Sequence, residues 1–84
     1  MIEIDAKLFT DKEEFYRIVN KELDFDYEVR NLDALFDQLS CLDDRLRVVN
    51  YGKIYENLGD FGSKVMGVFL EAVKMDDVKI DFVS

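Results

Sequence analysis

The sequence predicts an α/β domain: a three-stranded parallel sheet packed by three main helices plus a short helical turn. Three observations carry that expectation. Segments near residues 2–4, 45–51 and 78–84 have the period or the β-branched content of strands. The stretches between them carry apolar residues at helical spacing. Strands separated by helices need crossover connections, and crossovers give parallel pairing. A chain of 84 residues makes one domain, 1–84, with a modest core.

The elements follow in order. Ile2-Glu3-Ile4 alternates and reads as a short opening strand. Thr10-Asp11-Lys12-Glu13 has capping-box spacing, with Thr10 as cap and Glu13 three residues on. Phe15, Ile18, Val19 and Leu23 then predict an amphipathic helix over about 11–23. Residues 24–30 show neither period and read as a loop. Asn31 is a good N-cap for a second helix, in which Leu32, Leu35, Phe36 and Leu39 share about 100° of arc. Asp33 and Asp37 lie together just outside that stripe, with Phe36 on the shoulder and Ser40 near the same boundary. Cys41 to Asp44 form a turn.

Residues 45–51 then make the second strand, and the succession Val48-Val49 predicts cover on both of its faces. Gly52 ends it, and 53–58 reads as a short helical turn. Gly59, Asp60 and Gly62 punctuate the chain before a long helix, roughly 63–75, marked by Val65, Met66, Val68, Phe69, Ala72 and Val73. Its opposite face carries Lys64, Gly67, Glu71 and Lys74. In the closing strand, 78–84, Val78, Ile80 and Phe82 point inward and alternate with Lys79 and Asp81.

Composition removes several function classes. With no histidine, the chain lacks the commonest general base and metal ligand, and every Ser-His or Cys-His nucleophile pair. One cysteine gives no internal disulfide, leaves zinc only that thiol and carboxylates, and suits a reducing cytoplasm. Asp24-Phe25-Asp26 and Leu42-Asp43-Asp44 do not continue into a calcium loop, and the glycines match no phosphate-binding spacing. No cofactor, metal or enzymatic activity is expected. No apolar run approaches the ~20 residues of a membrane span, and no basic, then apolar, secretory leader opens the chain.

The net charge of −8 is unevenly placed. Glu22 to Asp44 holds eight acids and one base, Arg30, while the rest of the chain holds eleven acids and ten bases. Such a segment repels nucleic-acid phosphates and attracts a basic protein. It also keeps a small protein soluble.

Aspartate is a poor helix-interior residue, and two of them one turn apart repel. The helix dipole accounts for Asp33 in the first turn, but Asp37 lies past it. A carboxylate pair on one turn of a surface helix lacks the enclosing pocket that acid–base catalysis requires. It does suit charge-assisted bonds from a partner's Arg or Lys, with Phe36 and Tyr27 packing beside them.

Tyr27 followed by Asn31-Leu32-Asp33-Ala34-Leu35-Phe36-Asp37 resembles the barstar family, the intracellular inhibitors of barnase-type ribonucleases. Val68-Phe69-Leu70-Glu71-Ala72 agrees with a second family stretch, and the order of elements matches over the whole length. The sequence departs from the family pattern at Phe36 and Leu42, where tryptophan is common, at Val29, often glycine, and at Arg30 and Met75, where acids are common. The resemblance implies the fold derived above and a one-to-one complex with a basic ribonuclease by a protein that is monomeric when free. It implies that Asp33 and Asp37 enter the nuclease active site, with Asp37 the main plug. Tyr27 would meet the catalytic histidine region and Glu71 the rim. Phe36, Ser40 and Leu42 complete the expected contact set. The second reading is an acidic interaction module on the same fold, with a basic partner that is not a nuclease.

Overall fold

A computed structural model describes all residues, Met1–Ser84. The chain runs β1 (Ile2–Asp5), a 3-10 turn (Ala6–Leu8), α1 (Lys12–Leu23), α2 (Leu32–Leu39), β2 (Leu46–Val49), α3 (Gly52–Asp76) and β3 (Ile80–Val83). The α/β class and the single three-stranded parallel sheet are as expected, and the strand order is β1-β2-β3.

That order explains how the sheet is covered. Both crossovers step the same way, and with the usual right hand that brings the connecting helices to a common face. The register aligns Ile2, Leu46 and Ile80 in one row and Ile4, Val48 and Phe82 in the next. Ile4, Leu46 and Val48 are buried, and Ile2, Ile80 and Phe82 pack against the core. The alternate residues form the other face, with Glu3, Arg47 and Asp81 in register across it. The expected cover on both faces of β2 is therefore corrected. Val49 is only half-buried and borders an open hollow with Glu3, Asp5 and the α1 residues Arg17 and Lys21. Arg47 Nε, in the middle of the charged row, is the one buried side-chain nitrogen or oxygen without a hydrogen-bond partner.

One core of 18 buried residues joins the sheet to the helices. Phe9, Phe15 and Phe69 are its largest fully buried side chains, and Phe15 meets Phe9 edge-on at 4.9 Å and Phe61 at 5.6 Å. Asp5 fastens the strand ends. Its Oδ1 accepts from the Lys7 N–H at 2.9 Å and from Asn50 Nδ2 at 2.9 Å. These bonds, the Asn50 contact foremost, hold the Asp5 carboxyl below its ordinary value of 3.8.

Two local expectations shift. The N-cap of α1 is Asp11, not Thr10: Asp11 Oδ1 accepts from the Glu14 N–H at 2.8 Å. Glu14 does not return the bond but pairs with Arg17, which depresses its carboxyl. The turn at 53–58 and the helix at 63–75 are two arms of α3, broken at Gly59, whose φ of 56° and ψ of −128° suit glycine alone. Gly52 thus opens a helix as well as following a strand. Gly62 is buried where any Cβ would collide with the Ile54 carbonyl, so the two arms approach backbone to backbone. The 3-10 turn at Ala6–Leu8 has no periodic signal in the sequence.

The acidic groove between α2 and α3

Helix α2 is short and fixed at both ends. Asn31 Oδ1 accepts from the Ala34 N–H at 2.8 Å, as its N-cap position predicts. At the other end the Ser40 N–H donates to the Phe36 carbonyl and the Ser40 hydroxyl to the Asp37 carbonyl at 2.7 Å. Leu35 and Leu39 are fully buried, anchoring the helix with about 1.5–3 kcal/mol each. Phase then decides the rest. Asp33 and Asp37 stand exposed one turn apart, and Phe36 is half-buried beside them.

The second arm of α3 runs opposite. Between the helices lies an open groove of about 690 Å³, with Leu32, Asp33, Phe36 and Asp37 on one wall and Lys64, Gly67, Val68 and Glu71 on the other. None of Asp33, Asp37, Glu71 or Lys64 joins any of the five ion pairs in the molecule. Three carboxylates are thus left free around a floor of apolar side chains. That arrangement accepts charge-assisted bonds from an incoming Arg or Lys while Phe36 and Val68 exclude water around them.

The 24–30 loop lies beside the groove and reaches it through Tyr27. It is held by two polar side chains of neighbouring helices. Asn20 accepts from the Val29 N–H at 2.7 Å and donates to the Val29 carbonyl at 2.9 Å and the Tyr16 carbonyl at 2.8 Å. Gln38, the one buried polar residue of the chain, accepts from the Asp26 N–H at 3.1 Å. Val29 is fully buried and has no left-handed backbone, so the loop path needs no glycine there. Arg30 pairs with Glu28 at 2.7 Å. So fixed, the loop aims Tyr27 at the groove, where its hydroxyl donates to Asp37 Oδ2 at 3.0 Å. The carboxylate that takes this bond holds the phenol above its ordinary value of 10.0.

The expected contact residues thus fall into two sets. Asp33, Phe36, Asp37 and Glu71 line one groove and Tyr27 joins it through Asp37. Ser40 faces the end of α2, where its hydroxyl serves the Asp37 carbonyl. Leu42 packs against the core and borders a separate hollow with Phe25, Gln38 and Cys41. Lys64, Gly67 and Val68 complete the groove and were not anticipated as contact residues. The signal for Lys64 and Gly67 was their place two turns and one turn before Glu71 on the face of the long helix opposite its core stripe, whereas Val68 reads as part of that stripe.

A family model described as "Barstar (barnase inhibitor)" matches residues 1–83. The chain belongs to the barstar family. The match takes in every element from β1 to β3, so it covers both walls of the groove and the loop beside it. No curated protein matches the chain. The matched description names an inhibitor. No group of three or more Cys, Asp or Glu side chains is disposed to hold a metal ion, and no helix is long and apolar enough to cross a membrane.

Proposed function

We propose that this protein inhibits a small basic ribonuclease of the barnase type by a one-to-one complex that occludes the nuclease active site. The observation that carries the reading is the groove in which Asp33, Asp37 and Glu71 stand together without an ion pair of their own. Their carboxylates take the place of RNA phosphates against the cationic groups that would hold the substrate. Asp37 is the central plug, Asp33 its neighbour and Glu71 the contact across the groove. Phe36 and Tyr27 pack beside the plug, and Ser40 and Leu42 flank it. The protein does no chemistry and needs no cofactor. Family membership supports the partner class, and the acidic charge supports rapid encounter with a basic partner. The lone exposed Cys41 fits a reducing cytoplasm, and the protein is monomeric until it meets the nuclease.

The test is a titration of the protein into barnase-type ribonucleases, with RNA cleavage as readout. Activity falling to zero at one equivalent supports the reading. A folded protein that leaves every such nuclease active at micromolar concentration overturns it, and assigns the groove to a basic partner of another kind.

A further inference from the structure

We infer that Lys64 determines which nuclease fits the groove, and that the cognate partner places a carboxylate against it. The inference rests on the inhibitor reading and adds one contact of opposite sign to it.

Lys64 is the only base among the groove's residues, which otherwise carry the charges of Asp33, Asp37 and Glu71. A lysine on an exposed helix can pair with an acid three or four residues away. Lys53 does so with Glu56, and Arg17 with Glu14. Lys64 does not. Gly67 and Val68 follow it at those spacings and offer no carboxylate, and Asp60, one turn back, takes no ion pair with it. Its ammonium is left to whatever enters the groove.

Gly67 makes room for that contact. A glycine inside a helix costs about 0.5–1 kcal/mol relative to alanine. Packing gives no reason for it, because a Cβ there would meet nothing within 4 Å. It is exposed, has no positive φ, and lowers the groove wall in the turn after Lys64. A partner group thus approaches the helix closely and shields the ammonium from water.

A uniformly basic partner face is repelled at this point, and a face that changes sign along the groove is not. Bases opposite Asp33, Asp37 and Glu71 must be accompanied by an acid opposite Lys64. The lysine therefore rejects wrong nucleases as well as favouring the right one.

The experiment measures inhibition constants of the unaltered protein, Lys64→Met, Lys64→Glu and the control Asp37→Ala. The target is the barnase-type ribonuclease that the unaltered protein inhibits most tightly, together with its single Asp→Asn and Glu→Gln variants. Lys64 is exposed and unpaired, so both variants should keep the fold, checked by circular dichroism. The expected result is that Lys64→Met weakens inhibition about tenfold or more, that Lys64→Glu weakens it further, and that one amide variant of the nuclease removes the difference. Inhibition unchanged or tightened by Lys64→Met overturns the inference, as does a loss that no nuclease variant removes. If Asp37→Ala abolishes inhibition while Lys64→Met leaves it intact, the inhibitor reading stands and this inference alone falls. If the unaltered protein inhibits no such nuclease, both fall.

Discussion

The Tyr27 hydroxyl donates to Asp37 Oδ2 across 3.0 Å, tying the loop before α2 to the second aspartate of that helix. The bond spends one lone pair of the carboxylate and leaves the other oxygen for a partner. It also steadies the Asp37 side chain before any partner arrives, so less rotamer freedom is lost on binding.

The same bond sets the titration of Tyr27. Ionising the phenol removes the donor and puts a second negative charge beside Asp37, so ionisation is deferred above 10.0. The pKa is raised in the folded state. Its contribution to stability is therefore present below the unfolded value and lost as pH rises through the folded one. Ultraviolet titration of the tyrosinates should show two high-pH components in the unaltered protein, one from Tyr16, raised by burial and untouched by changes at Asp37, and one from Tyr27. The Tyr27 component should move down toward the ordinary value in Asp37→Asn and vanish in Tyr27→Phe.

Truncation of Asp37 separates binding from folding. Its carboxylate is exposed, and the fold loses only the Tyr27 bond, so Asp37→Ala should change unfolding free energy by less than about 1 kcal/mol. In the complex the same change strips a desolvated partner of its counter-charge, a loss of about 3–5 kcal/mol. Urea unfolding and inhibition constants on one preparation measure both. An unfolded Asp37→Ala would make the aspartate structural and displace it from the binding role.

Asn20 touches neither aspartate, yet it governs where Tyr27 stands. Asn20→Ala leaves the Val29 N–H and carbonyl without their partner in a half-buried setting. At about 1–3 kcal/mol for each of the two unmade bonds, a destabilisation of about 2–6 kcal/mol is expected. Amide exchange at Val29 should quicken, and inhibition should weaken although no contact residue has changed.

Two glycines of α3 should answer to alanine with opposite signs. At Gly62 the new methyl meets the Ile54 carbonyl, and the arms of α3 must separate, so Gly62→Ala should cost about 2 kcal/mol or more. At Gly67 the methyl meets nothing, and relief of backbone freedom should raise stability by about 0.5–1 kcal/mol. Thermal melts of the two variants decide this directly.

Helix periods and the Asn31 cap were legible because they depend on neighbours in sequence. The turn at Ala6–Leu8 was hidden, since a single 3-10 turn has no apolar period to display. Val48-Val49 suggested a strand covered twice. A sequence of strand types does not say whether successive crossovers step in one direction, and here that step leaves one face in water. One wall of the groove was visible as the Asp33, Phe36, Asp37 pattern. Of the other only Glu71 was expected, through the family resemblance, because Lys64 and Gly67 have no meaning until α3 is laid beside α2. Leu42 shows the converse. Near α2 in sequence, it turns toward a different hollow once the chain leaves the helix.

The parallel register has a consequence for how the molecule comes into being. No strand can pair with a near neighbour. Ile2 must find Leu46 across roughly forty residues, and Leu46 must find Ile80 across more than thirty. The two walls of the groove are likewise about thirty residues apart. Contacts so remote make for slow folding relative to a local helical bundle of the same size. They also make assembly all-or-none. While a nascent chain still lacks β3, the central strand has an open edge and α3 has no strand to return to. The groove between α2 and α3 therefore takes its final shape only after β3 has been made and paired.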